Sequence, residues 1–224
     1  MLERYGWSEK LQREYVIEPG LVPARVIIQQ RGLYVVVCAA GEMTASLSGR
    51  FMQDAQEGDY LVAGDWVAVA ARANEGRATI KQLLPRAGVF RRRAAGPGAP
   101  RQQIVAANVD VALLLASLNA DLSARRMERY LAAAWEGNAD PVIVLTKSDV
   151  CDAVEPLRAA IEAVAFGVPV HVISALTGDL TALVIISTVV SRRHFFFVAP
   201  DWRYVTGTMI AALGGLCGFV GERR

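Results

Sequence analysis

The chain has 224 residues, 53% of them hydrophobic, which is enough to bury one large core or two small ones. Its 24 basic and 22 acidic residues leave a net charge of only +2, which excludes a global polycation; any nucleic-acid contact has to come from a local patch. The three cysteines, Cys38, Cys151 and Cys217, are far apart and form no Cys-x-x-Cys pair, which argues against a disulfide framework or zinc cluster and for a reducing compartment.

Residues 1–20 read as a short amphipathic lead-in whose charged start holds no apolar signal core. The pattern then changes. Residues 24–28, 33–38, 43–47, 65–70 and 78–83 are short runs rich in β-branched residues, with Gly32, Gly41 and Gly76 marking turns between them. Five such runs in about 60 residues predict a small closed barrel of the OB type over residues 21–88, with another small β-domain as the alternative.

Residues 86–101 carry Arg86, Arg91, Arg92, Arg93 and Arg101 without an acid between them, and Gly96, Pro97, Gly98 and Pro100 predict irregular backbone. Residues 89–103 are therefore expected to be a basic linker. Arg91, Arg92 and Arg93 are its candidate RNA-binding residues, because a cationic loop beside an OB surface can grip phosphates. A solvated charged loop is the competing reading.

From residue 104 strands and helices alternate. Residues 109–116 form a continuous apolar run, as expected for a strand buried on both faces. Ser123 can cap a helix that ends near Gly137, with Met127, Tyr130, Leu131, Ala134 and Trp135 on its apolar face. A strand over 141–146, a helix over 154–166 and a strand over 168–174 follow. This βαβαβ order predicts a parallel sheet across residues 104–180.

The sequence Thr146, Lys147, Ser148, Asp149 stands at the carboxyl end of a buried strand, where open parallel sheets bind ligands. It is a variant of the Asn-Lys-x-Asp signature. A carboxylate at Asp149 can accept from both guanine N1–H and the exocyclic amine, and adenine offers no such donor pair. Charge-assisted hydrogen bonds contribute about 1.5–3 kcal/mol each, enough to discriminate between the bases. Lys147 can lay its aliphatic stem along the base, and the Thr146 hydroxyl can tie neighbouring loops. Ser174 and Ala175 follow the next strand, where a backbone N–H can meet guanine O6. The alternatives are an ordinary helix cap at Asp149 and a plain turn at Ser174.

In the order of these segments the chain resembles the ribosome small-subunit-dependent GTPases, a bacterial family of circularly permuted GTPases. The likeness runs from residue 2 to about residue 180. It includes Tyr5, Gly6 and Trp7, the Pro-Ala-Arg-Val run at 23–26, Leu-Ser-Gly-Arg at 47–50 and Gly-Asp-Trp-Val at 64–67. It continues through Leu-Pro-Arg at 84–86, Gln-Ile-Val-Ala-Ala-Asn-Val-Asp at 103–110, Arg-Met-Glu-Arg-Tyr-Leu at 126–131 and Val-Leu-Thr-Lys-Ser-Asp at 144–149. The resemblance implies an OB barrel that contacts 16S rRNA, and then a P-loop-type GTPase domain whose base-reading motifs precede the phosphate loop. It further implies binding of GTP and GDP with Mg²⁺, a C-terminal zinc domain, and late assembly of the 30S ribosomal subunit as the role. The lack of a signal core and of an apolar run near the roughly 20 residues a membrane helix needs predicts a cytoplasmic protein without a membrane, and a monomer is expected.

The family's phosphate loop, Gly-x-x-x-x-Gly-Lys-Ser/Thr, is expected some 20–30 residues beyond the Ser-Ala turn. The chain contains no Gly-Lys pair; its lysines are Lys10, Lys81 and Lys147. Its two histidines, His171 and His194, lack metal-ligand spacing. On this reading the base-recognition half is present, and GTP hydrolysis, Mg²⁺ and Zn²⁺ lack their residues. No strand or helix period is evident over 182–224, and a change of reading frame near residue 181 is expected, with a divergent but genuine C-terminus as the alternative; a downstream frame without a phosphate loop and zinc cluster would exclude the change of frame. The competing functions are an inert OB-type module for rRNA and the 30S subunit, or a non-functional truncated product.

Overall fold

The structure, a computed structural model, describes residues 2–30, 32–54, 60–92, 103–119, 122–174, 176–177 and 195–198. Described residues through Val109 form one compact unit, and those from Asp110 form a second.

The first unit is a closed barrel of β1 (Val22–Gln30), β2 (Leu33–Cys38), β3 (Gly41–Leu47), β4 (Trp66–Arg72) and β5 (Arg77–Leu83), in the order β1-β2-β3-β5-β4. Its pairs are antiparallel except β3 with β5, and β1 with β4 closes it. Closure leaves no free sheet edge. Period-two alternation points Val26, Val36, Val67, Val69 and Ile80 inward, where all are buried. The strands follow the predicted runs within two residues at each end.

The N-terminal segment lies on the barrel's outer surface. A 3-10 turn (Leu2–Tyr5) precedes α1 (Glu9–Glu14), which Ser8 caps by accepting from the Leu11 N–H at 3.3 Å. Trp7 meets Trp66 edge-on with centroids 4.9 Å apart, and the Tyr15 hydroxyl donates to the Pro85 carbonyl at 2.9 Å. These residues and Leu11 pack around buried Trp66, Val37, Ala68 and Leu84, giving the barrel a second apolar cluster.

Two elements depart from expectation here. A helix, α2 (Gly49–Asp54), stands between β3 and β4. The expected linker is also partly ordered: β6 (Val89–Arg92) pairs antiparallel with β7 (Gln103–Ala107). The irregular backbone predicted over residues 86–101 is therefore corrected at 89–92, where backbone pairing with a strand beyond the Gly/Pro stretch satisfies the peptide groups. Residues 93–102 lie outside the described residues.

In the second unit a sheet runs β10 (Val170–Val172), β9 (Asp140–Thr146), β8 (Val111–Ser117), β11 (Phe195–Val198), with every pair parallel. Two helices join the strands, α3 (Ala124–Glu136) between β8 and β9 and α4 (Val154–Val164) between β9 and β10. α3 packs on β8, β9 and α4, and α4 packs on β10. Leu113, Leu114, Ile143, Leu145, Leu131, Met127 and Ile161 are buried there. Ser123 occupies the α3 N-cap position, but through its carbonyl, which accepts from the Arg126 and Met127 N–H groups, not through its hydroxyl. β11 corrects the expectation that residues 182–224 hold no strand: Phe195–Val198 aligns with residues 111–114 of β8. Among the described residues, no helix is long and apolar enough to cross a membrane.

His171, on β10, supplies a pH test of this unit. Burial holds its pKa below the usual histidine value, and the Arg158 charge pushes the same way. A base whose folded pKa is depressed contributes stability that is present above its unfolded pKa, about 6.5, and is lost as pH falls through the folded value. Acidification from neutrality should therefore lower the melting temperature of this unit. His171→Gln should flatten that dependence, and an NMR titration of His171 should give a midpoint below that of a free histidine.

Candidate functional site

The predicted base-reading residues lie where the carboxyl ends of β9 and β10 meet. Thr146 is the last residue of β9 and pairs in register with Ser117 of β8. Its hydroxyl donates to the Ala116 carbonyl at 3.3 Å, which ties the ends of the two strands. Lys147 then adopts a left-handed conformation, φ 63°, which reverses the chain into a 3-10 turn (Ser148–Val150). Lysine rarely adopts this conformation, and such local strain is concentrated at functional turns. The Ser148 N–H donates to the Ile173 carbonyl at 3.3 Å and docks the turn against the end of β10.

That docking brings Asp149 to Ser174, 25 residues along the chain. The Ser174 hydroxyl donates to Asp149 Oδ1, and Ser174 Oγ in turn accepts from the Thr177 N–H at 3.2 Å. Ser174 is buried at 1% exposure, whereas Asp149 is exposed. A buried hydroxyl thus fixes an accessible carboxylate at the sheet's carboxyl edge. An ionised carboxylate has about four lone-pair sites, so one bond from serine leaves acceptor capacity for a planar pair of N–H donors. The sequence reading missed this role of the Ser174 side chain, having considered only the backbone of its turn. Ala175 lies outside the described residues.

The candidate RNA-binding arginines are on β6. Arg91 is exposed and pairs in register with Ile104, and Arg92 pairs with Gln103. Arg93 lies outside the described residues. Arg86, grouped on sequence with these cations, has a different role. Its Nε and one terminal nitrogen each sit 2.7 Å from the two Asp65 oxygens, a bidentate fork in which Asp65 is fully buried. Burial raises the Asp65 pKa; the Arg86 bonds and charge, the Val62 N–H and the Arg25 charge oppose that rise. Arg86 is spent on the barrel's structure and is not available as an RNA contact.

For metals, the described residues hold no group of three or more His, Cys, Asp or Glu side chains placed to share an ion.

Comparison with known proteins gives a consistent set of likenesses. A family model described as RsgA GTPase matches residues 83–198, past residue 181 and through β11. The Small ribosomal subunit biogenesis GTPase RsgA of Syntrophotalea carbinolica is 39% identical over 188 residues, which cover 80% of this chain and 51% of that protein. RsgA 2 of Lactiplantibacillus plantarum is 37% identical over 181 residues, covering 80% of this chain and 50% of that protein. The chain thus spans about half the length of the curated relatives it matches. Among solved structures, YjeQ from Thermotoga maritima matches with a TM-score of 0.64 at 18% identity, over 87% of this chain and 65% of that one. YloQ, described as a circularly permuted GTPase, matches with a TM-score of 0.59 at 20% identity, over 80% of this chain and 59% of that one. These two likenesses concern the fold: a barrel followed by a parallel sheet in permuted order.

Proposed function

The chain belongs to the RsgA GTPase family, and we propose that it binds guanine nucleotide through Thr146, Lys147, Ser148, Asp149, Ser174 and Ala175 and acts with the small ribosomal subunit during its assembly. The single observation that supports the base-reading half is the Ser174 hydroxyl bond to Asp149, which holds an exposed carboxylate at the ligand-binding edge of a parallel sheet. Asp149 takes the two guanine donors, Lys147 lies along the ring, and Thr146 keeps the ends of β8 and β9 together. The names of the matched relatives support the ribosomal role.

Hydrolysis is a separate matter. The chain has no Gly-Lys pair to cradle the β- and γ-phosphates, and its cysteines and histidines do not form a zinc-binding pattern. The described residues do not fit a bound Mg²⁺ or Zn²⁺. Base-specific binding without turnover is the activity proposed. GTP turnover above a blank, with or without 30S subunits, would contradict the second half of that statement. The family match runs through residue 198, which weighs against a change of reading frame near residue 181; the downstream nucleotide sequence tests it.

A second reading is favoured by the exposed Arg91 and by the basic run that follows it. In it the barrel and residues 91–93 hold 16S rRNA in the cytoplasm while the nucleotide unit is idle. Replacing Arg91, Arg92 and Arg93 together with alanine should weaken binding to single-stranded rRNA fragments. The slope of log affinity against log salt should fall by about 2, since each phosphate contact on a single strand contributes about 0.7. An unchanged slope in a filter-binding series would remove these arginines from the interface.

A further inference from the structure

Asn108 directly follows β7, with a left-handed backbone of φ 52°. All four of its hydrogen-bonding groups are used. Its N–H donates to the Gly88 carbonyl at 2.9 Å, and its side-chain Oδ1 accepts from the Ala87 N–H at 2.8 Å. Its Nδ2 donates to the Gly64 carbonyl at 3.1 Å, and its own carbonyl accepts from Arg25 at 2.5 Å. Ala87 and Gly88 lead into β6, so the first two bonds close the base of the β6–β7 hairpin. Gly64 and Arg25 belong to the barrel, so the other two fasten that base to it.

The barrel side of this joint is itself tied down by several contacts. Arg25 is buried at 1% exposure, donates also to the Tyr5 carbonyl, and lies 4.8 Å from the centroid of the Trp66 ring. Gly64 donates to the Val26 carbonyl at 2.8 Å, and Ala107 donates to the Ala63 carbonyl at 3.0 Å. Asparagine suits the position twice over. It tolerates a left-handed backbone better than most residues, and its amide offers one donor and one acceptor in fixed geometry.

We infer that Asn108 is the latch that seats the arginine-bearing hairpin on the barrel, a positioning residue for Arg91. The inference about the latch stands on these bonds; its use in RNA binding rests on the second reading above. Asn108→Gly is the informative variant, because glycine adopts this backbone freely, keeps both main-chain bonds and deletes both side-chain bonds. In hydrogen exchange on the full chain, amides of Val89–Arg92 and Gln103–Ala107 should exchange about 10- to 30-fold faster, the factor expected for losing two ordinary hydrogen bonds. Amides of β2 and β5 should keep their rates. Asn108→Asp retains the acceptor for Ala87 but sets a carboxylate oxygen against the Gly64 carbonyl, and should loosen the hairpin as well. Equal acceleration of barrel and hairpin, or none in either, would overturn the latch. In parallel, the salt slope for single-stranded RNA should drop in Asn108→Gly towards that of the triple arginine variant. A loosened hairpin with an unchanged slope would overturn its positioning role. Absence of RNA binding by the unsubstituted chain would instead remove the RNA reading, with the exchange pattern still deciding the latch.

Discussion

Gly64→Ala should cost the barrel unit more stability than any other single methyl group added to it. Gly64 has φ 92°, a region that strains an L-residue, and a Cβ built there would lie 1.9 Å from the Ala107 carbonyl oxygen. That oxygen is backbone, so no rotamer change can relieve the overlap. Relief requires lifting the hairpin base from the barrel, which breaks the Ala107 bond to Ala63 and the Asn108 bond to Gly64. Backbone strain of about 1–3 kcal/mol and loss of these contacts add to roughly 4 kcal/mol or more. Denaturant titration measures it. Gly76→Ala is the control: it has φ 62° but nothing within 4 Å of an added Cβ, so it should cost only about 1 kcal/mol. If the two variants unfold at the same midpoint, the close approach at Gly64 is not what holds the hairpin down.

Asp149→Asn should weaken GDP binding by about two orders of magnitude. The substitution leaves the Ser174 hydroxyl a partner in the asparagine carbonyl, so the turn keeps its shape. What changes is the second atom, from acceptor to N–H₂ donor, which now faces the guanine amine with like polarity. Losing two charge-assisted bonds removes about 3 kcal/mol or more, and each 1.4 kcal/mol is tenfold. Xanthine carries a carbonyl where guanine has that amine, so the variant should gain affinity for xanthosine diphosphate while losing it for GDP. A calorimetric series with both nucleotides checks the exchange of preference. Equal loss for both would mean that Asp149 maintains the fold of the loop and does not read the base.

Much of this molecule was legible in the chain because burial imposes a period. The apolar run at residues 109–116 read as a strand covered on both faces, and β8 (Val111–Ser117) is that strand. The alternating runs of the barrel were equally plain, since one face of each points to a core. α2 (Gly49–Asp54) escaped notice because six residues starting with glycine carry too little period to register. The β6–β7 hairpin was hidden by the Gly/Pro stretch between its strands and by the irregular register between Phe90 and Arg91.

The polar groups were legible only in part, for a related reason. Asp149 and Thr146 sit in a contiguous motif, whereas Asp65 and Arg86 are 21 residues apart and Asn108 and Gly64 are 44 apart. Nothing local distinguishes a buried arginine fork from a solvated cation. Arg86 therefore read as one more charge of the linker, and Asn108 as part of a familiar run with no stated task. Pairings of that kind form only in the folded unit; seating of the β6–β7 hairpin, for instance, brings residues 63 and 64 against residues 106–108.

On the reading proposed above, the turn at residues 146–149 and the Ser174 hydroxyl together recognise a guanine ring. Amide chemical shifts followed during titration of the full chain with GDP, and separately with ADP, test it most directly. Progressive shifts at Lys147, Ser148, Asp149 and Ser174 are expected with GDP, and none there with ADP. Identical responses to the two nucleotides, or a GDP response confined to the barrel, would contradict it.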